Sequence, residues 1–271
     1  MNKFSYYKPG VGDSWILVLL FFAGSLILGM IIGIVWPTAP QSVSYILSMA
    51  LPFAYIRLKS GTAFLCEEHP VPLNRSLKET AQPAVAVAAA AVAMLALSVV
   101  IEPLTQIIPM PDSFKALFEQ IFNDSALWDM LLSTCVLAPL LEETLCRGIM
   151  LRGMLQHTSP VKAILWSALI FAVLHANPWQ AIPAFILGTF FGWIYWKTGN
   201  LALTMFLHCL NNSISAAVTR IWPDLDIDAG LSDIMDKGPY IAVYVASCVI
   251  LIVLLYLLNE KIISSEVQAD S

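Results

Sequence analysis

The sequence predicts an all-α polytopic membrane protein, with about eight transmembrane helices enclosing a polar intramembrane cavity. Three observations carry that reading. The 271 residues are 58% hydrophobic and only 12% charged, with a mean hydropathy of +0.75, whereas a soluble domain has about 25% charged residues. Eight apolar stretches approach the ~20 residues needed to cross a ~30 Å hydrocarbon core. Lys and Arg also alternate between successive loops. With the N-terminus inside, eleven of the fourteen fall in inner segments, all but Lys115, Arg220 and Lys237. That bias places both termini in the cytoplasm; the expected location is a bacterial cell membrane. The formal charge of −5 identifies no partner by itself, and no nucleic-acid partner is expected.

The first expected span, 15–36, follows Lys3 and Lys8. It exceeds a signal-peptide core and no small-residue cleavage site follows, so it reads as a retained helix. The second is 42–57. Residues 58–81 then form a polar inner loop with Glu67, Glu68 and Arg75. The third span, 82–103, holds an Ala/Val run from Ala84 to Ala93 suited to close packing. Residues 104–124 carry Phe114, Leu117, Phe118, Ile121 and Phe122 at helical spacing and are expected along the outer interface. The fourth span, 125–150, opens near Asp129, which is expected to stay wet at that interface. Spans 160–177, 178–197 and 200–221 follow. Arg152 and Lys162 are expected to hold the turn between the fourth and fifth spans in water. Gly188 and Gly192, four apart, let a neighbouring helix approach closely.

The last outer loop carries Asp224, Asp226, Asp228, Asp233 and Asp236, before a final span at 239–258. A calcium loop starting at Asp224 would need glycine where Ala229 stands and glutamate where Met235 stands, so the loop reads as solvated. The chain divides into 1–124, N-terminal spans and loops; 125–221, a catalytic core; and 222–271, the acidic loop, last span and tail. Cys66, Cys135, Cys146, Cys209 and Cys248 fit no metal or disulfide spacing and read as free buried thiols. His69 and His157 read as surface histidines.

Polar groups inside the spans carry the chemistry. Carboxylates at membrane depth cost roughly 2.5–3.5 kcal/mol each, so they usually face a cavity and serve a function. Glu142, Glu143 and Arg147 share the fourth span. Phe171 and His175 lie four apart in the fifth, and His208 and Asn212 four apart in the seventh, so each pair shares a helix face. Counting back from the turn at 156–160 brings Glu142 and His175 level, each ~22 Å from it at 1.5 Å per residue. His208 reaches that depth if the hairpin protrudes about 9 Å further into the cytoplasm, which puts the site nearer the inner face. A desolvated carboxylate suits a general base, and histidine and asparagine donors suit an oxyanion. Together they suit amide hydrolysis by activated water. No G-x-S-x-G or H-E-x-x-H motif occurs. One glutamate and two histidines could instead hold zinc. The same groups could serve a proton-coupled transporter or an immunity scaffold, although no inverted repeat is evident. Spacing alone also makes Glu143 and Arg147 a structural ion pair.

The ordered motifs Glu142-Glu143-x-x-x-Arg147, Phe171-x-x-x-His175 and His208-x-x-x-Asn212 resemble those of the CAAX-processing and bacteriocin-processing (CPBP, or Abi) family of intramembrane endopeptidases, which includes the Ras-converting CAAX protease. The resemblance covers about residues 125–221. It implies a helical membrane fold with a cavity open to the cytoplasm, and a glutamic peptidase that needs no metal or other cofactor. It also implies a peptide or membrane-protein substrate, of CAAX type or a bacteriocin-like peptide. On the matching positions, Glu142 would activate water with help from His175, and His208 and Asn212 would bind the oxyanion. Glu143 and Arg147 would support them. Oligomeric state is not legible.

Overall fold

The computed structural model describes residues 3–66, 69–77, 82–124, 126–222, 225–226 and 228–262. Every regular element among them is helical. A short 3₁₀ turn, Lys3–Tyr6, precedes α1 (Val11–Val35), α2 (Gln41–Ser48), α3 (Ala50–Leu65), α4 (Pro83–Thr105) and α5 (Asp112–Asp124). An uninterrupted helical run, residues 127–154, is α6. It is followed by α7 (Pro160–Leu174), α8 (Pro178–Thr198), α9 (Leu201–Ile221), α10 (Leu231–Ile234) and α11 (Lys237–Leu257).

Local sequence explains these boundaries. Pro83, Pro160 and Pro178 each sit in a first turn, where a missing N–H costs nothing. Asn177 caps α8 by accepting the Gln180 N–H at 2.9 Å. Asn200 caps α9 by accepting from Leu203 at 2.7 Å. Between them Gly199 ends α8 at φ +60°, a left-handed conformation that glycine adopts without a Cβ clash.

Four helices are individually long and apolar enough to cross a membrane: Val11–Val35, Pro83–Thr105, Leu201–Ile221 and Lys237–Glu260. The other four expected spans differ for identifiable reasons. The 42–57 stretch breaks at Met49 into α2 and α3. Pro52, in the first turn of α3, has no N–H to offer the Ser48 carbonyl four residues back. α7 ends at Leu174 after 15 residues. α8 has 21 residues but is diluted by Trp, Gly and Thr. α6 alternates, with α-helical turns at Leu127–Leu131 and Ala138–Glu143 separated by π-helical turns at Leu132–Leu137 and Thr144–Leu151. Pro139 follows the first π stretch and cannot bond the Cys135 carbonyl, which favours a widened turn there.

Two clusters form the interior. One joins α1, α3, α6 and α7 around Leu17, Ile56, Ile149 and Ile170. The other joins α4, α8, α9 and α11 around Ala90, Phe191, Leu207 and Leu251. α8 contributes to both. The outward faces of α1 and α11 are also apolar, with Leu19, Leu26, Ile34, Val245, Val249 and Ile252 exposed. Apolar surface of that extent is stable where hydrocarbon, not water, is the solvent.

Several expectations change here. Asp129 is not wet: it is 3% exposed and accepts the N–H groups of Gln41 at 2.6 Å and Ser42 at 3.1 Å. It therefore serves as the missing cap of α2. Lys162 is exposed, but Arg152 is buried. Its guanidinium binds five backbone carbonyls, those of Phe4, Ser5, Tyr7, Val71 and Gly148, at 2.6–3.0 Å. The last turn of α6 is thus wrapped by the N-terminal segment and the 69–77 loop, while the hairpin turn itself, with Gln156, His157 and Lys162, is exposed as expected. A planar cation with five donors suits a carbonyl cage, which a count of charges does not reveal. Cys66 is exposed, Cys209 and Cys248 are half-buried, and Cys135 and Cys146 are buried; all five are free. His69 and His157 are exposed. Glu67, Glu68 and Asp224 lie outside the described residues. Lys115 binds Asp226 and Asp228 at 3.1 and 2.7 Å, and these hydrogen bonds, the stronger to Asp228, raise its pKa above the usual Lys value.

Candidate active site

The site begins on α6, where π turns place Glu143 and Arg147 inside the bundle. Both are fully buried. Arg147 Nη1 donates to Glu143 Oε1 at 2.8 Å, and Nη2 donates to the Gly188 carbonyl at 3.0 Å. The guanidinium stacks over Phe171 at 4.4 Å from the ring centroid and lies 5.7 Å from Phe191. A lone buried charge would be very costly; the pair, the carbonyl and two ring faces compensate it here. Gly188 makes room for this arrangement. A Cβ there would meet Phe171 Cδ1 at 3.0 Å and Arg147 Nη2 at 3.1 Å. The Gly188–Gly192 spacing therefore does more than bring α7 and α8 together: it also seats the arginine.

From α9, His208 Nδ1 approaches Glu143 Oε1 at 3.0 Å. A carboxylate only accepts, so Nδ1 carries the proton and Nε2 is left for another partner. The His208 ring packs against Phe171 and Phe191, at 5.5 and 5.7 Å between centroids. His175 caps the C-terminus of α7. Its Nδ1 donates to the Phe171 carbonyl at 2.8 Å, so the neutral ring presents its lone pair at Nε2. Edge contact with Phe171 at 5.0 Å fixes the ring. The next residue, Ala176, has φ +57°. That conformation is strained for a residue with a Cβ and lets the chain reverse immediately after His175.

Glu142, half-buried, faces elsewhere. Its Oε1 accepts the Tyr45 hydroxyl at 2.6 Å, and among the described residues no side chain donates to Oε2. Asn212 Nδ2 donates to the Thr134 carbonyl of the first π stretch at 2.9 Å, leaving its second amide hydrogen uncommitted. Asn211 donates to Asn212 Oδ1 at 3.3 Å.

The three motifs thus meet around Phe171. Glu143, Arg147, His175 and His208 belong to one contact set, while Glu142 and Asn212 are oriented by Tyr45 and Thr134. The depth count assumed uniform α-helical rise, whereas the π turns between Glu142 and the hairpin end change that rise. Tyr45 was not singled out by the sequence. A signal existed: Gln41, Tyr45 and Ser48 form a polar stripe at i, i+4, i+7 within an apolar run. Zinc would need three donors about 2.0–2.2 Å from one point. No cluster of three His, Cys, Asp or Glu side chains is suitably placed among the described residues.

A family model for type II CAAX prenyl endopeptidases, Rce1-like, matches residues 124–214. That region holds all seven motif residues and both π stretches of α6. No curated protein and no solved structure matched. Over residues 124–214, about a third of its length, the chain is thus similar to the Rce1-like type II CAAX prenyl endopeptidases.

Proposed function

We propose that the protein is an intramembrane endopeptidase whose general base is Glu142. The observation that best supports this is the unequal engagement of the two glutamates. Glu143 is sealed in the bundle with Oε1 held by both Arg147 and His208 and Oε2 buried without a partner, whereas Glu142 is only half-buried, pairs with no cation among the described residues, and keeps Oε2 without a donor among them. A water bound there would lose a proton to Glu142 Oε2 while its oxygen attacks the scissile carbonyl carbon. His175, with Nδ1 committed to Phe171, offers Nε2 to the same water. The carbonyl oxygen becomes an oxyanion, to which Asn212 donates its second amide hydrogen, and His208, anchored to Glu143 through Nδ1, presents Nε2, which donates once that nitrogen carries a proton. Collapse re-forms the carbonyl and breaks the C–N bond. The amine leaves with the proton taken by Glu142, and the new terminus is a carboxylate. Glu143 and Arg147 hold His208 at the required angle.

The proposal includes eight crossings, formed by α1, α2 with α3, α4, α6, α7, α8, α9 and α11, with both termini cytoplasmic. The polar groups would line a cavity open to the cytoplasmic side, reached by a peptide or membrane-protein substrate of CAAX or bacteriocin type. The test is cleavage of a membrane-tethered peptide library by the purified protein, with product termini read by mass spectrometry. Defined new termini from the parent and none from Glu142→Gln are expected. Equal cleavage by both would remove Glu142 from the chemistry.

A further inference from the structure

Among the described residues, Tyr45 is the side chain that hydrogen-bonds Glu142, and it comes from α2, outside the matched region. Its hydroxyl donates to Oε1 at 2.6 Å, the length of a charge-assisted O–H···O⁻ bond. The helix that carries it is held in place independently. At its start, Asp129 accepts the N–H groups of Gln41 and Ser42. Asp129 and Glu142 are both on α6, so the same helix grips α2 at its N-terminus and at Tyr45. At its end, the Ser48 hydroxyl donates to the Tyr45 carbonyl at 2.6 Å. The Ser48 carbonyl, which Pro52 cannot bond, lies against Gly24 of α1, where a Cβ would approach it to 2.8 Å. Two neighbouring helices, α6 and α1, therefore set where the Tyr45 hydroxyl lies.

We propose that Tyr45 is a positioning residue for Glu142. This rests on the assignment of Glu142 as base. The phenol fixes the carboxylate in one rotamer and commits Oε1, so that Oε2 is the oxygen that receives the water proton. Phenylalanine at this position keeps the ring and removes only the donor.

The experiment compares the parent, Tyr45→Phe and Glu142→Gln, each in lipid nanodiscs. Peptide cleavage and thermal unfolding are recorded, and the carboxylate stretch of Glu142 is isolated by infrared difference against Glu142→Gln. For Tyr45→Phe, loss of one hydrogen bond to a charged group predicts a kcat about 10–100-fold lower. KM should be little changed, and the Glu142 carboxylate band should shift. The unfolding midpoint should stay close to the parent's. Parent-like kcat would overturn the proposal. So would an activity loss that merely tracks a lowered unfolding midpoint. If Glu142→Gln cleaves as well as the parent, the base assignment fails instead. The infrared band then decides the contact alone: a shift in Tyr45→Phe sustains it, and an unmoved band removes it.

Discussion

Replacing Arg147 with methionine should be among the most damaging single changes in this chain. Arg147 is the largest of the fully buried side chains. It compensates Glu143, itself fully buried, across 2.8 Å. Methionine fills part of the volume but leaves a buried carboxylate with no cation paired to it except through His208. Breaking one side of a buried pair costs about 3–5 kcal/mol. The Gly188 carbonyl keeps its bond within α8 and loses only its second donor, which adds about 0.5–1.5 kcal/mol. The lost stacking on Phe171 adds about 0.5–2 kcal/mol. These terms share partners and do not sum, so the expected loss is about 4 kcal/mol. At ~2–4 °C per kcal/mol, that lowers the unfolding midpoint by roughly 8–16 °C. The double variant Glu143→Gln with Arg147→Met removes both charges. It should recover at least half of the loss, because the stranded charge is the dominant cost. Thermal unfolding of the parent, both single variants and the double variant in nanodiscs measures the coupling. Additive losses in the two singles would refute the argument that this pair is held together by mutual charge compensation.

Other outcomes follow from the same geometry. Gly188→Ala places a methyl 3.0 Å from Phe171 and 3.1 Å from Arg147. It should cost about 1–3 kcal/mol in unfolding measurements and reduce cleavage through His208. Ala176→Gly removes a positive-φ strain of about 1–2 kcal/mol and should raise the unfolding midpoint, offset in part by glycine's greater unfolded-state entropy. Asp129→Ala leaves two N–H groups of α2 without their acceptor and should cost about 1–2 kcal/mol. Hydrogen exchange should show faster protons at the start of α2. Incubation of active protein with a chelator should leave cleavage unchanged if water is activated by Glu142 alone. Stoichiometric zinc lost together with activity would instead favour the zinc reading.

Much of the fold and part of the site are legible in the sequence, for reasons that particular residues make plain. The i, i+4 spacing of Glu143 and Arg147 is a local property, and the ion pair is where the spacing puts it. The partnership of His208 with Glu143 spans 65 residues and depends on how α6 and α9 cross, which spacing does not encode. Charge counting treats Arg152 as a marker of the aqueous side, yet its fork of donors finds a cage of carbonyls from three segments. Asp129 is read by the same rule as a wet carboxylate, and it caps a helix 88 residues earlier in the chain. Both errors come from assigning a charge to water before asking which unsatisfied backbone groups fold next to it. The π turns of α6 are legible only in part: Pro139 announces a break in the ladder but not the direction in which the helix widens.

The claim that most needs testing is that Glu142, and not its neighbour, removes the proton from water. The direct measurement is single-turnover cleavage of one membrane-tethered peptide by Glu142→Gln and Glu143→Gln, each checked for parent-like unfolding. The account predicts no detectable turnover with Glu142→Gln, and residual turnover with Glu143→Gln, which still contains the base. Robust turnover by Glu142→Gln, or loss confined to Glu143→Gln, would contradict it.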